Sequence, residues 1–312
     1  MKKQKKPPRL RRWITAGIFI IIALFILISL LTGFVLSRIT HVERVTLMLK
    51  DLPAEFDGTT ILYVSDIDMV GLSGPRSAAA LFRKLERLKP DILILGGDYA
   101  CPSLTDRING SADEAAMADK RRRLFAYLAN FQAPLGKFAV AGENDAAGDL
   151  AGEMAAGGIR LLSDETAQIQ RGPARIILAG LSDYSGSLTN YSALAAGCAA
   201  GDCVIAAAHN PASITGILTA EAGDSGSWCD VVLAGHTHGG QALLAGRSML
   251  KLTDRETRYG SGWSKEGDVH VLVSEGVGCE TVSLRLGTRS TVHFITLRRA
   301  GTILTFPTEN PE

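Results

Sequence analysis

The chain has 312 residues, of which 46% are hydrophobic and 21% are charged, and its formal net charge is +1. This composition is typical of a globular protein and excludes the disordered and fibrous classes. A nearly neutral chain also lacks the overall positive field of a nucleic-acid-binding protein, so we expect no nucleic-acid partner. Any binding of anions must therefore come from a local site.

The first forty residues differ in composition from the rest. Seven Lys and Arg residues within 2–12 precede an uncharged apolar run over 13–37. At about 1.5 Å per residue, this run is long enough to cross a hydrocarbon core of about 30 Å as one helix. The basic flank predicts a cytoplasmic N-terminus, because positive charge is retained on that side. We therefore predict a basic cytoplasmic tail (1–12), a single-pass anchor in the cell membrane (13–37) and an extracytoplasmic domain.

Two other interpretations of this segment stay open. A cleaved signal peptide would have an apolar core of about 7–15 residues and a small-x-small cleavage site. Here the run is longer and ends in VLSR at 35–38. The arginines at 11 and 12 are a feature of twin-arginine export signals, but their surroundings match such a signal poorly. An uncleaved anchor is the favoured interpretation.

Short apolar runs alternate with helical and polar segments from about residue 42, without an internal repeat. This pattern predicts one domain over 42–300 and a short tail over 301–312. Helices are predicted over 75–88, 112–130 and 149–156. The basic run at 120–123 lies in the second helix and is interpreted as a solvated face. Strands are predicted over 44–49, 60–65, 91–95, 137–141, 175–179, 202–207, 230–234, 269–274 and 291–297.

The five cysteines form no CxxC pair, which excludes a zinc ribbon or a redox motif of that type. Cys198 and Cys203 are close enough in sequence to form a disulfide in an oxidising compartment. Burial as small thiols is the favoured interpretation for most of the five.

Residues that could bind metal ions follow five of the predicted strands at their carboxyl ends. In open α/β sheets, ligand sites lie outside these ends, so we expect the five loops to converge on one point. Carboxylates and imidazoles together suit divalent ions such as Mn, Fe, Zn or Ni. The candidate ligands are Asp66, Asp68, Asp98, Glu143, His209, His236 and His238.

Two of the histidines are one residue apart in the sequence GHTHGG at 235–240. On an extended strand end, side chains at this spacing can point in opposite directions. His236 and His238 could therefore serve two different ions, and the glycines allow the tight turns that bring both rings inward.

The motifs and their order resemble the signature of calcineurin-like metallophosphoesterases, which reads Asp-x-His, Gly-Asp, Gly-Asn-His-Asp, His-x-Pro and Gly-His-x-His. The stretch AGHTHGGQ at 234–241 is nearly identical to the motif of the membrane-anchored bacterial branch. The resemblance covers about 42–297. It implies an α/β fold, a four-layer α-β-β-α sandwich of two mixed β-sheets, with two divalent metal ions that hydrolyse phosphate esters.

Carried over by position, the resemblance implies that Asp66 and His238 hold the first ion, that His209 and His236 hold the second, and that Asp98 bridges them. In such centres the ions activate a shared water and hold the phosphate oxygens. The candidate catalytic positions are His209 and Asn144.

Three residues depart from the family pattern. Asp68 replaces a His, Glu143 replaces a ligand Asn, and Asn144 replaces the His that assists the leaving group. The two extra carboxylates would offset the charge of the ions, which shifts preference toward Mn or Mg and weakens phosphate binding. Loss of a proton donor at position 144 costs about 10²–10⁴-fold in rate where that step is limiting.

Two hypotheses for function follow. The intact GHTH motif and His209 favour a metal-dependent phosphoesterase that hydrolyses a phosphate mono- or diester through a metal-activated water. The alternative is a catalytically weak relative that acts as a metal- or ligand-binding envelope protein. An anchored site is near the bilayer, so a lipid- or envelope-linked substrate is physically sensible, by analogy alone. The sequence carries no signal for the oligomeric state.

Overall fold

The computed structural model describes residues 9–71, 73–110, 113–145, 148–182, 189–241, 243–244, 247–248, 252–280 and 282–301. Most of the predicted basic tail (1–12) and nearly all of the predicted C-terminal tail (301–312) lie outside this range. The helices are α1 (Arg9–Leu36), α2 (Pro75–Leu85), α3 (Leu104–Asn109), α4 (Glu114–Leu128), α5 (Leu150–Ala156), α6 (Tyr191–Ala196), α7 (Ile214–Thr219) and α8 (Asp254–Thr257).

Two six-stranded sheets form the body of the protein. In spatial order, the first sheet contains β1 (Thr40–Leu49), β14 (Ser290–Arg299), β2 (Thr60–Val64), β3 (Ile92–Leu95), β4 (Lys137–Ala139) and β5 (Arg160–Leu161). The second contains β12 (Gly262–Glu266), β13 (Val269–Val273), β9 (Val231–Ala234), β8 (Val204–Ala207), β7 (Ala174–Gly180) and β6 (Glu165–Arg171). A separate short pair is formed by β10 (Leu243–Leu244) and β11 (Arg247–Ser248).

Both sheets are mixed. In the first, β14 is antiparallel to β2 and parallel to β1, while β2 to β5 run parallel to one another. In the second, β13, β9, β8 and β7 are parallel, and the outer strands β12 and β6 are antiparallel to their neighbours. The carboxyl ends of the central parallel strands therefore share one edge within each sheet.

The strand residues alternate between two cores, as a period of two requires. In β2, Ile61 and Tyr63 are buried between the two sheets, together with residues of β7, β8 and β9. Leu62 and Val64 point the other way and pack against α2, α4 and α5. The second sheet is covered on its outer face by α6 and α7. The predicted four-layer α-β-β-α sandwich of two mixed sheets is thus confirmed.

Every predicted strand is present in the structure, with shifted ends. The predictions missed the sheet-edge strands β5, β6 and β12 and the separate short pair of β10 and β11. The interpretation of 120–123 as a solvated face is wrong for Arg121, whose side chain is fully buried and whose Nε donates to Glu153 Oε2 at 2.9 Å. All five cysteines are buried free thiols, so Cys198 and Cys203 form no disulfide.

The N-terminal helix meets the domain at a defined place. Within the described residues, one helix is long and apolar enough to cross a membrane, over Arg12–Leu36. It ends three residues before β1, whose first residue Thr40 pairs with Ser290 of β14. Because β14 is antiparallel to β2, the start of β1 lies at the carboxyl end of β2. The apolar helix therefore leaves the domain at the same sheet edge from which the loop after β2 emerges.

Candidate metal centre

The structure brings together all seven candidate ligands at the carboxyl ends of the central strands. Three overlapping groups each place their ligand atoms within 4.8 Å of one another. The first contains Asp66, Asp68 and His238, and the second contains Asp66, Asp98 and His209. Glu143 and His236 join His209 in the third. Shared members link the groups into one continuous cluster that could hold more than one ion.

The chemistry of this cluster fits cations. Asp66 and Asp68 are fully buried, and three of their four carboxylate oxygens have no hydrogen-bond partner within the described part of the chain. Burial, together with the charge of Asp98, raises the pKa of Asp66 to about 6 and that of Asp68 well above its usual range. Buried carboxylates without donors are costly, and a divalent ion is the partner that satisfies such oxygens.

His209 presents one ring nitrogen to the cluster. Its Nδ1 donates to the carbonyl oxygen of Gly96 at 2.7 Å, which fixes the ring and leaves Nε2 facing Asp98 and Glu143. Such a backbone acceptor typically selects the tautomer in which the other nitrogen binds a metal. At neighbouring Gly97, with φ of +92°, an added Cβ would lie 2.6 Å from His209 Nδ1, so the close packing requires glycine.

Glu143 lies between two imidazoles. Its carboxylate oxygens are 2.8 Å from His209 Nε2 and 2.9 Å from His236 Nδ1. These contacts outweigh the opposing effects of burial, so the pKa of Glu143 is lowered and the pKa values of both histidines are raised. The Glu143 carboxylate therefore favours the protonated forms of both imidazoles, and a divalent ion would have to displace those protons to bind the ring nitrogens.

Asn144 faces the proposed bridging ligand. Its backbone NH donates to Asp98 Oδ1 at 3.0 Å, and its side-chain amide donates to Asp98 Oδ2 at 2.7 Å. Both donors orient the Asp98 carboxylate. An amide in this position can hold a carboxylate but cannot transfer a proton.

Two acidic residues that sequence reasoning did not assign support the cluster. Asp145 is buried and accepts hydrogen bonds from the backbone NH groups of Asp98 and Tyr99, at 2.7 and 3.2 Å. Burial and the charge of Asp98 raise its pKa to about 7. Glu256 lies 3.1 Å from His236 Nε2. Asp145 occupies the last position of the Gly-Asn-His-Asp pattern, whereas the signal for Glu256 in the sequence is a helix capping box with Thr253.

Arg285 is a further residue that the sequence analysis missed. It is fully buried, and its Nη2 donates to the carbonyl oxygens of Gly278 and Glu275 at 2.6 and 2.7 Å. Its Nη1 also donates to the His238 carbonyl at 3.3 Å. Burial and this guanidinium hold the pKa of His238 well below its usual range, which keeps the imidazole neutral. A neutral imidazole is the form that binds metal.

The backbone at the site is strained. Five of the seven candidate ligands have positive φ angles between 44° and 68°, a region that residues with a Cβ rarely adopt. Such conformations cost about 1–3 kcal/mol each and persist only where the surrounding structure imposes them. The residues are Asp66, Asp68, Asp98, His236 and His238.

The fold and the site define a class of α/β protein with a candidate two-ion centre at one edge of its paired sheets. No known protein-family profile matches the chain. It is 27% identical over 270 residues to an uncharacterized metallophosphoesterase of Aquifex aeolicus, covering 84% of this chain and 93% of the relative. It is 29% identical over 254 residues to the phosphodiesterase YaeI of Escherichia coli, covering 80% and 84%. The calcineurin-like metallophosphoesterase family, which the sequence motifs resemble, fits both of these similarities.

Two further similarities are more limited. Over 105 residues the chain is 30% identical to the UDP-2,3-diacylglucosamine pyrophosphatase LpxG of Chlamydia trachomatis, covering 33% of this chain and 28% of that protein. A dimetal phosphatase from Danio rerio superposes with a TM-score of 0.44 at 12% identity, covering 77% of this chain and 99% of the neighbour.

Proposed function

We propose that the chain is a membrane-anchored, metal-dependent phosphoesterase that hydrolyses a phosphate mono- or diester. The observation that carries this proposal is the continuous cluster of seven ligands, with buried carboxylate oxygens that lack donors within the described residues. We assign Asp66, Asp68 and His238 to one ion and Glu143, His209 and His236 to the other. Asp98 would lie between them.

When bound at these positions, two divalent ions supply a water activated for attack and positive charge for the phosphate oxygens. The protein holds the ligands in place through Arg285 at one end and Asp145 at the other. Asn144 orients Asp98 and gives no proton to the leaving group, so esters with good leaving groups should react best. Four carboxylates in the ligand set favour Mn or Mg, although Fe, Zn and Ni suit the imidazoles.

A lipid- or envelope-linked substrate is the finer part of the proposal. The metal cluster and the end of α1 share one edge of the first sheet, so an anchored domain would turn its site toward the bilayer. The partial relative from Chlamydia is named for a pyrophosphatase of a diacylated sugar nucleotide. We further propose the division into a cytoplasmic tail (1–12), an anchor (13–37), an extracytoplasmic domain (42–300) and a C-terminal tail (301–312).

A second candidate function is a catalytically weak protein that binds a metal or a ligand in the envelope. The contacts of Glu143 favour it, because its carboxylate lies 2.8 Å from His209 Nε2 and 2.9 Å from His236 Nδ1, where it competes for the ring nitrogens that would bind an ion. Asn144 also favours this second candidate, because its amide cannot transfer a proton to a leaving group as an imidazole could.

The test is metal content and turnover of the full chain in detergent, purified without chelator. We expect two ions per chain by mass spectrometry and hydrolysis of bis(4-nitrophenyl) phosphate. Both should be lost in a variant with His236→Ala and His238→Ala, and retained in a control with His270→Ala, which lies outside the cluster. Two ions without turnover above the double variant would favour the second candidate. Fewer ions and no turnover would refute the proposed centre.

A further inference from the structure

A groove lies where α1 joins the domain. Its volume is about 420 Å³. One wall is the segment that follows α1, with Arg38 and Thr40, and the other is the face of α2 that carries Ser77, Leu81 and Lys84. The floor includes the buried side chain of Met69, from the segment that follows Asp68. The groove therefore lies at the membrane-side edge, next to the metal-binding loop and outside the metal cluster.

The position of the groove relative to α1 is fixed by close packing. The backbone NH of Arg285 donates to the carbonyl of Gly33 at 3.2 Å, and Ser37 Oγ donates to the carbonyl of Ser283 at 3.4 Å. A Cβ at Gly33 would lie 2.7 Å from Leu286 Cδ2 and 2.8 Å from the carbonyl oxygen of Arg285. Glycine thus lets the last turns of α1 contact the loop directly, so the groove opens at the level where α1 ends.

The lining is amphipathic in a way that suits a phospholipid. Two cations, Arg38 and Lys84, and several hydroxyls line it, and none of the described residues at its wall is acidic. The guanidinium of Arg38 stacks on Phe34 of α1, 4.6 Å from the ring centroid. Ile39, beside Arg38, is 59% exposed and offers an apolar surface in continuation of α1. Basic heads above apolar surface are typical of the interface between acyl chains and head groups.

Charge on the surrounding surface has the same sign. The segment 75–88 carries three exposed arginines besides Lys84 and one acidic residue, Glu86. Basic residues next to a membrane attract anionic lipids, and the attraction falls within a Debye length. The segment 75–88 begins with α2, which lines the groove opposite the end of α1, so the charges of this segment would be close to the lipid head groups.

We propose that the groove binds one anionic glycerophospholipid from the leaflet in which α1 ends. The lipid phosphate lies between Arg38 and Lys84, and its acyl chains follow Ile39 and the exposed face of α1. Because Ile67 and Met69 lie beneath the groove, a bound lipid would lie directly over the segment that carries Asp66 and Asp68. This proposal rests on the proposed anchoring of α1 and does not require that the metal site be active.

The test uses the full chain reconstituted in nanodiscs that contain equal amounts of phosphatidylglycerol and phosphatidylcholine, followed by native mass spectrometry of co-purified lipid. We expect one retained phosphatidylglycerol per chain. The variant Arg38→Gln with Lys84→Gln should lower its retention about 25-fold, about fivefold for each charge. The matched control, Lys50→Gln with Lys265→Gln, removes two exposed charges at the opposite edge and should retain the lipid.

The outcomes separate the groove from the anchor. Equal retention of both lipids, or equal loss in both double variants, would overturn the groove proposal while leaving the anchor intact. Full displacement by millimolar glycerol 3-phosphate would show recognition of a free organic phosphate and would also overturn it. If the wild-type chain fails to float with phosphatidylcholine vesicles, the anchor and the groove proposal are refuted together. Retention by the wild type should fall as salt rises, which checks the charge contribution without any substitution.

Discussion

Replacing Glu143 by Gln removes one negative charge from the metal cluster with little change in shape. A ligand carboxylate and a phosphate that share an ion have charge centres about 5 Å apart, which at an effective dielectric constant of about 20 corresponds to about 3 kcal/mol of repulsion. The Glu143 side chain is 37% exposed, so solvent screening reduces this value. We expect a gain of about 1–2 kcal/mol, or about 5- to 30-fold tighter binding of inorganic phosphate.

The assay is calorimetric titration of phosphate into the chain at saturating Mn, with two ions per chain verified first. Saturation is required because the amide is a weaker ligand than the carboxylate, so the variant should also bind Mn less tightly. Glu266→Gln, an exposed substitution at the opposite edge of the second sheet, is the matched control and should leave the affinity unchanged. Unchanged or weaker phosphate binding by Glu143→Gln with both ions in place would refute the argument from net charge.

Three other predictions concern proton transfer, the buried ion pair and pH. Asn144→His should raise the turnover of alkyl phosphodiesters relative to nitrophenyl esters by at least about tenfold, because it restores a proton donor; an unchanged kcat ratio would contradict this. Glu153→Gln leaves the Arg121 guanidinium buried without its carboxylate and should lower the free energy of unfolding in urea by about 3–5 kcal/mol. Burial raises the pKa of Asp230 to about 6, so its contribution to stability is present below about pH 4 and is lost as pH rises through 6. Relative to wild type, the free energy of unfolding of Asp230→Asn should therefore rise by on the order of 1–2 kcal/mol between pH 4 and pH 8, measured by urea unfolding at each pH. A difference between the two proteins that does not change with pH would contradict this prediction.

The assembly of the site could be predicted because strand direction brings distant loops together. Asp66, Asp98 and His209 are far apart in sequence, but each follows a buried apolar run of a parallel strand. The carboxyl ends of such strands meet at one edge. His236 and His238 lie in different ligand groups, but not for the reason that the sequence suggested. Both have positive φ angles, of 68° and 51°, so they lie in a tight turn after β9 and not on an extended strand end.

Other parts of the site carry no such periodic signal. Arg285 and Glu256 lie in a loop and in a single helical turn, and their roles depend on contacts with His238 and His236, which tertiary structure alone creates. Arg121 is a similar case, because its burial depends on a glutamate 32 residues along the chain. Charge patterning in a helix predicts exposure unless such a partner is known.

The missed strands have a related cause. β6 alternates buried and exposed residues over a polar sequence, and β5 contains two residues. Strands at sheet edges bury one face or less, so their apolar pattern is weak. Hydrogen bonding to a neighbouring strand, which the sequence does not display, defines them.

The three-residue link between α1 and β1 spans at most about 10 Å when fully extended. With the helix inserted in a bilayer, so short a tether would confine the domain to a thin layer above the surface. An ester carried by a neighbouring lipid would then meet the site by lateral diffusion in two dimensions, at an effective concentration in the millimolar range that short tethers typically provide. A weak intrinsic affinity for phosphate would be sufficient under such confinement, whereas a soluble ester would gain nothing from it.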